Sequence, residues 1–209
     1  MNEAIMSQLE RGLLELKFAL PGAAAERLIA YLDLMAKWNR VYNLTAIREV
    51  DRALTHHVLD CLAVVPHVAG ERVADVGSGA GLPGIPIAIA RPAWQITLIE
   101  SNHKKSSFLS QAVAELGIAN ASVAQERVEA IEPTGSFDLV VSRAFSDLPE
   151  FARLAGRLVA PGGTLAAMKG LYPDEEIALL PRDWRVEAVV PLRVPGIEAA
   201  RHLVLMKRA

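Results

Sequence analysis

Five residues of the run Val73-Ala-Asp-Val-Gly-Ser-Gly-Ala-Gly-Leu-Pro-Gly84 carry a chemical signature: Asp75, Gly77, Gly79, Gly81 and Gly84. Glycines this dense let the backbone approach a ligand closely and adopt positive φ where a side chain would clash. Glu100 closes the next apolar run, Gln95 to Ile99. An acidic group about twenty residues past a glycine turn is the usual acceptor for ribose hydroxyls. The pattern predicts a pocket for an adenosine-carrying cofactor.

Three kinds of glycine loop compete for this reading. A P-loop is excluded, because no Gly-Lys-Ser/Thr follows the glycines. Gly79-Ala-Gly-Leu-Pro-Gly84 does satisfy the dinucleotide fingerprint. Asp75, however, lies inside the strand just ahead of the glycines, where it would face a pyrophosphate. S-Adenosylmethionine has no phosphate and carries an ammonium and a sulfonium, so carboxylate and carbonyl groups suit it. No tyrosine has a lysine four residues on, as a short-chain dehydrogenase needs. The expectation is S-adenosylmethionine, with a nicotinamide enzyme as the weaker rival.

The elements that must hold this loop are legible in outline. At 209 residues the chain can bury one good core, an α/β domain with a modest extension. Leucines and isoleucines at three- and four-residue steps predict a helix over 2–20, broken by Pro21-Gly22. A second is predicted over 23–38, then a turn over 39–44 and a helix over 51–65 stopped by Pro66. These helices read as a cap, residues 1–66, on a domain of residues 67–209. From residue 72 strands alternate with helices: strands at 72–76, 95–99, 121–124, 137–142 and 164–169, helices near 84–90, 103–116 and 147–159. The last helix is predicted to end at Pro161-Gly162. Such alternation means a parallel sheet covered on both faces. Two β-rich runs, 185–194 and 202–207, read as a closing hairpin that inserts the last strand antiparallel.

Composition sets the outer bounds. The net charge is −2 and the only cysteine is Cys61, so no intrachain disulfide and no sulfur-rich metal site is expected. No apolar run is long enough to span a bilayer, and no signal peptide is evident, which predicts a cytoplasmic protein without a membrane partner. An acidic chain is not a generic nucleic-acid binder, so any such contact must come from a local basic rim.

Further segments carry a family resemblance. Asp-Val-Gly-Ser-Gly-Ala-Gly-Leu-Pro-Gly-Ile-Pro, then Leu-Ile-Glu-Ser-Asn-His-Lys-Lys-Ser-Ser-Phe-Leu and Val-Val-Ser-Arg-Ala-Phe, resemble the GidB/RsmG family. Trp38-Asn39, Tyr42-Asn-Leu-Thr45 and His56-His57-x-x-Asp60 resemble it as well. The similarity runs over roughly residues 30–170. It implies an α/β, class I (Rossmann-like) methyltransferase: a seven-stranded, mostly parallel sheet with an antiparallel C-terminal strand and an N-terminal helical cap. It also implies methyl transfer from S-adenosyl-L-methionine to guanosine N7 of small-subunit (16S) ribosomal RNA.

The residues are compatible with that chemistry. Exocyclic amine methylation commonly uses an Asn/Asp-Pro-Pro-Tyr/Phe loop after the fourth strand, where this chain has Ser142-Arg-Ala-Phe145. Methylating pyrimidine C5 needs a cysteine nucleophile, and Cys61 reads instead as a small buried residue. Guanine N7 offers a free lone pair and loses no proton. Holding nucleophile, methyl and sulfur in line can supply most of such catalysis.

Ligands of open α/β sheets bind at the carboxyl ends of the strands, which assigns candidate roles. Gly77, Ser78, Gly79 and Gly81 form the wall around the methionine moiety, with Leu82 packed nearby. Asp75 orients the loop or serves as a structural carboxylate for backbone N–H groups. Glu100 accepts the ribose hydroxyls or is a solvated surface charge. The resemblance gives Val128 and Glu129 the adenine contact, although Glu126 and Glu129 also read as helix-face charges. Arg143 closes the fourth strand where the target base enters. The resemblance puts it at the cofactor, and its guanidinium suits guanine O6 or a phosphate. It is the one catalytic candidate, with an ion pair to Asp75 or Glu129 as the alternative. Lys104, Lys105, Lys169, Asn43, Arg48, Arg52 and one of the two histidines, His57, are the candidate RNA rim. No metal site is expected, since the adjacent histidines face apart and lack a third ligand. The expected partner is ribosomal RNA or an assembling 30S subunit, met by a monomer. Two rivals stay open: a small-molecule methyltransferase with the helices as a lid, and a non-catalytic RNA-binding assembly protein.

Overall fold

A computed structural model describes residues 2–132 and 136–209. Seven strands form one sheet in the order β3-β2-β1-β4-β5-β7-β6. They are β1 (Arg72–Val76), β2 (Gln95–Ile99), β3 (Ala121–Ala124), β4 (Phe137–Arg143), β5 (Val159–Lys169), β6 (Trp184–Pro191) and β7 (His202–Arg208). The first five run parallel. β7 inserts antiparallel between β5 and β6, so the hairpin expected from residues 185–207 is present.

Alternation along the strands sorts two cores. Val73, Ile96, Leu98, Leu139, Val141 and Leu203 face one side. The helices α1 (Asn2–Glu15), α2 (Ala24–Tyr42), α3 (Val50–Ala53), α4 (Asp60–Leu62), α5 (Gly84–Ala90) and α6 (His103–Glu115) pack over that side. Ala74, Val76, Val140, Leu165, Val204 and Met206 face the other, under α7 (Leu148–Ala155). A short α8 (Asp174–Ala178), not anticipated from the sequence, follows β5. The N-terminal helices therefore share one continuous core with α5, α6 and the sheet.

Four boundaries differ from expectation. α1 stops at Glu15, well before Pro21: Lys17 takes a positive φ of 51°, and Phe18 turns in to lie under the Arg91 guanidinium at 4.8 Å. α2 continues through Tyr42, and Asn43 closes it in the left-handed conformation that asparagine tolerates at such a position. Pro66 falls inside a 3-10 turn, Val65–His67. Pro161-Gly162 does not end a helix. Residues 160–163 form an irregular insert in β5 opposite Asp138, because Phe137 pairs with Val159 and Leu139 already with Thr164.

Between α3 and α4 the chain winds as a π-helix, Leu54–Leu59. Such widened turns concentrate at functional sites, and this one carries His56 and His57.

Candidate active site

β1 and β4 are adjacent, and from them the chain proceeds in opposite directions across the sheet. A crevice opens at the carboxyl ends of strands at such a switch point. Two cavities occupy it. The larger, about 590 Å³, is bordered by Gly77, Ser78, Gly79, Leu82, Lys105, Arg143, Lys169 and Arg201, and by Thr45, His56, His57 and Asp60 from the N-terminal helices and the loop between them. The smaller, about 200 Å³, is bordered by Gly77, Glu100, Ser101, Glu126, Val128, Glu129, Phe145 and Glu150. Gly77 belongs to both.

The glycine loop is held from three sides. Gly77 has φ +69°, and a Cβ there would meet Phe145 Cδ2 at 2.8 Å, so glycine is required by conformation and by contact. At Gly84, where α5 begins, a Cβ would meet Leu98 Cδ2 at 2.3 Å and Asp75 Oδ2 at 2.7 Å. From α2, the buried Tyr31 hydroxyl donates to the Ala80 carbonyl.

Asp75 is fully buried, and its Oδ2 accepts from Gly84 N–H at 2.8 Å. Its Oδ1 has no hydrogen-bond partner among the described residues. Burial pushes its pKa up to about 7, against the opposing pull of the Gly84 N–H. Glu100 is buried too, and accepts from Gly79 N–H at 2.9 Å and Asn102 N–H at 2.8 Å. Each carboxylate oxygen keeps a second lone pair, and the group borders the smaller cavity, so it can accept from a ligand diol without releasing the loop. Val128 is buried and Glu129 exposed at the far wall of that cavity.

Arg143 is tied to the π-helical segment, which sequence reasoning did not anticipate. Its Nη1 donates to the His56 carbonyl at 2.9 Å and reaches Asp60 Oδ2 at 3.3 Å, while Nη2 lies 3.4 Å from His57 Nδ1. The ion-pair partner is thus Asp60, in place of Asp75 or Glu129. Asp60 also pairs with Arg201 Nε at 3.2 Å. Its own pKa is raised, because burial outweighs both guanidinium groups. Between Arg143 and Phe145, Ala144 adopts φ +57°, a strained conformation for alanine.

The basic rim is only partly gathered. Lys105 borders the larger cavity. Lys104 is exposed and sits 5.9 Å from the Tyr42 ring centroid. Arg48 and Asn43 are exposed and bonded to one another at 3.0 Å, and the exposed Arg52 lies 3.9 Å from Glu49. Lys169 is half-buried against Glu176 at 2.7 Å and the Ser146 carbonyl at 2.9 Å, so its charge is neutralised within the protein. Of the histidines, His57 is the buried one: Nε2 meets Thr45 Oγ1 at 2.9 Å, and burial, then Arg143, brings its pKa down to about 4. His56 is the more accessible at the cavity wall. Cys61 is fully buried, and burial raises its thiol pKa.

Asp60, Arg201, Tyr31 and Thr45 went unassigned from the sequence. Asp60 stands in the quoted His-His-x-x-Asp segment, a signal that could have found it. Nothing local marks Arg201, which the hairpin brings in from the far end of the chain.

Comparison with known proteins fits this geometry. A family model described as rRNA small subunit methyltransferase G matches residues 24–204. The chain belongs to this family. The ribosomal RNA small subunit methyltransferase G of Laribacter hongkongensis is 56% identical over 200 residues, covering 96% of this chain and 97% of its own. That of Nitrosospira multiformis is 52% identical, covering 100% and 99%. Among solved structures, the glycopeptide N-methyltransferase MtfA bound to S-adenosyl-L-homocysteine aligns with a TM-score of 0.63 at 13% identity, covering 73% of this chain and 87% of that one. A SAM-dependent methyltransferase from Aquifex aeolicus aligns at 0.57 and 21% identity, covering 74% and 92%. At such identities these two speak for the fold alone, which is the class I, Rossmann-like methyltransferase fold.

Proposed function

We propose that this chain transfers a methyl group from S-adenosyl-L-methionine to N7 of a guanosine in small-subunit (16S) ribosomal RNA. The observation that carries the reading is the pair of cavities meeting at Gly77, one with Glu100 and the other with Arg143, in a chain of this family. The cofactor fits this cradle. A Cβ at Gly79 would have only the Gly77 carbonyl near it, at 3.8 Å, so the loop leaves room at the crevice. Glu100 and Val128 suit the ribose and adenine in the smaller cavity, with Glu129 at its outer wall. Gly77, Ser78, Gly79, Gly81 and Leu82 shape the passage for the methionine part, braced by Asp75.

When bound, S-adenosyl-L-methionine supplies a methyl group on a positively charged sulfur. The protein's part is to hold guanine edge-on to it. Guanine N7 loses no proton on alkylation, so no side chain needs to act as base. Arg143, fixed by Asp60 and the His56 carbonyl, presents its guanidinium to the larger cavity, where it suits guanine O6. His57, kept neutral, adds no charge beside it. Positioning of this kind can supply most of the rate enhancement.

In the same reading, residues 1–66 are a helical extension on a methyltransferase domain of residues 67–209. The substrate is the assembled or assembling 30S subunit, met in the cytoplasm by a monomer without metal. Lys104, Lys105, Arg48 and Asn43 lie at the RNA-facing rim. Among the described residues no helix is long and apolar enough to cross a bilayer.

The test is transfer of radiolabel from S-adenosylmethionine to 30S subunits lacking the modification, followed by nucleoside chromatography. Label in 7-methylguanosine is the expected result. Label in another nucleoside, or cofactor binding with no label in RNA, overturns the reading, the latter in favour of a small-molecule substrate. A preference for naked RNA over subunits would overturn the substrate assignment alone.

A further inference from the structure

Four lysine and arginine side chains border the larger cavity, and two acidic groups offset part of their charge: Asp60 is shared by Arg143 and Arg201, and Glu176 pairs with Lys169. The chain as a whole carries a net charge of −2. Phosphate contacts ordinarily dominate nucleic-acid affinity, and only part of the cationic charge at the cavity is free for them. An uncharged grip near the cavity would add to what those cations supply.

The segment after β5 offers one. Leu171 is 81% exposed and Tyr172 50%, among the most exposed large apolar side chains of the described residues. They directly follow Lys169 and Gly170, which border the cavity. Tyr172 meets the His202 ring edge-on, with centroids 5.7 Å apart and planes at 82°. His202 also borders the cavity, and its Nδ1–H donates to the Gly170 carbonyl at 2.8 Å. The tip is braced on its far side by the buried Pro173 and by Glu176, which grips Lys169. An exposed aromatic on so firm a mount loses little freedom when something packs on it.

Resting on the methyl-transfer reading above, we propose that Tyr172, with Leu171 and His202, is a stacking platform for an unpaired RNA base next to the target guanosine. A guanosine drawn into the cavity must leave its stack, and its neighbour then exposes an apolar face. Single-stranded bases are commonly received on aromatic side chains. A platform just beyond the cavity wall stands where such a neighbour emerges. Stacking releases no counterions, so this grip depends little on salt.

The test compares wild type with Tyr172→Ala and Tyr172→Phe on 30S subunits lacking the modification. Losing one stacked base weakens binding by about five- to a hundredfold. The expected result for Y172A is a KM for subunits raised by that factor, with kcat, S-adenosylmethionine affinity and thermal midpoint unchanged. Y172F restores the KM, and the slope of affinity against salt is the same in all three proteins. An unchanged KM in Y172A overturns the proposal, as does a loss that Y172F does not rescue. A photo-reactive benzoylphenylalanine at position 172 distinguishes the occupant: cross-links to RNA support the platform, and cross-links to ribosomal protein alone refute it. Wild type that fails to label RNA would sink the underlying reading instead, a result separable from any outcome at Tyr172.

Discussion

Asp60→Asn should separate stability from activity. Asp60 is buried, with two guanidinium groups 3.2 and 3.3 Å from its oxygens. A simple tally of ion pairs would predict a large loss of stability. The raised pKa of the carboxyl says otherwise, because the cost of burying its charge exceeds what the two arginines return. The arginine side chains, 22% and 24% exposed, also keep access to water at the cavity. Asparagine preserves the shape and leaves one oxygen to accept from Arg143. The expected stability change is within about 1 kcal/mol, or about 2–4 °C in thermal midpoint for a chain of this size. Activity should respond much more. Arg143 exchanges a carboxylate partner for a weaker, neutral amide oxygen, and a guanidinium held less firmly costs transition-state positioning. Catalytic efficiency on 30S subunits should fall about ten- to a hundredfold. Calorimetry and methyl-transfer kinetics on one preparation decide the matter. A midpoint lowered by much more than 4 °C with intact activity would refute both the burial argument and the positioning role.

Three further outcomes are expected. Glu100→Ala should weaken S-adenosylmethionine binding by about 1–3 kcal/mol in titration calorimetry, since a buried charged acceptor is lost; unchanged affinity in a folded protein removes Glu100 from the site. Arg143→Ala should abolish methyl transfer while the protein stays folded, and full activity would place the target base elsewhere. The buried titrating groups predict opposite tilts with pH in urea unfolding. His57, lowered to about 4, binds fewer protons folded than unfolded between pH 4 and 6.5, so its contribution rises with pH there and is level above. Asp75, raised to about 7, does the reverse, its contribution falling as pH climbs from about 4 to 7. Relative to wild type, Asp75→Asn should therefore gain stability as pH rises through that window. His57→Gln should gain it as pH falls from 6.5 to 4, and parallel curves would show that neither group titrates as its burial dictates.

Much of the sheet was legible because each strand is a short apolar run bounded by turn residues, a local pattern. α2 was drawn too short because Asn39 and Asn43 look like loop residues. Asn39 is buried, its side chain accepting from Thr45 N–H at 2.9 Å and donating to the Ile47 carbonyl at 3.2 Å. That satisfaction comes from the following loop, and no propensity encodes it. Pro161-Gly162 misled in the same way, since an irregular insert in a strand uses the same residues as a helix stop.

The sequence by itself marked out the proposed cofactor half of the site. Asp75, the glycines and Glu100 lie close along the chain, and their roles depend on backbone conformation and spacing. In the proposed substrate half the sequence pointed to Arg143, but its partners were decided by tertiary structure alone. Asp60 from a π-turned helix, Arg143 from a strand end and Arg201 from a distant hairpin meet only when the sheet is built and the helices are laid across it. A buried charge takes its partner from whichever neighbour the packing supplies, and sequence separation carries no record of that choice.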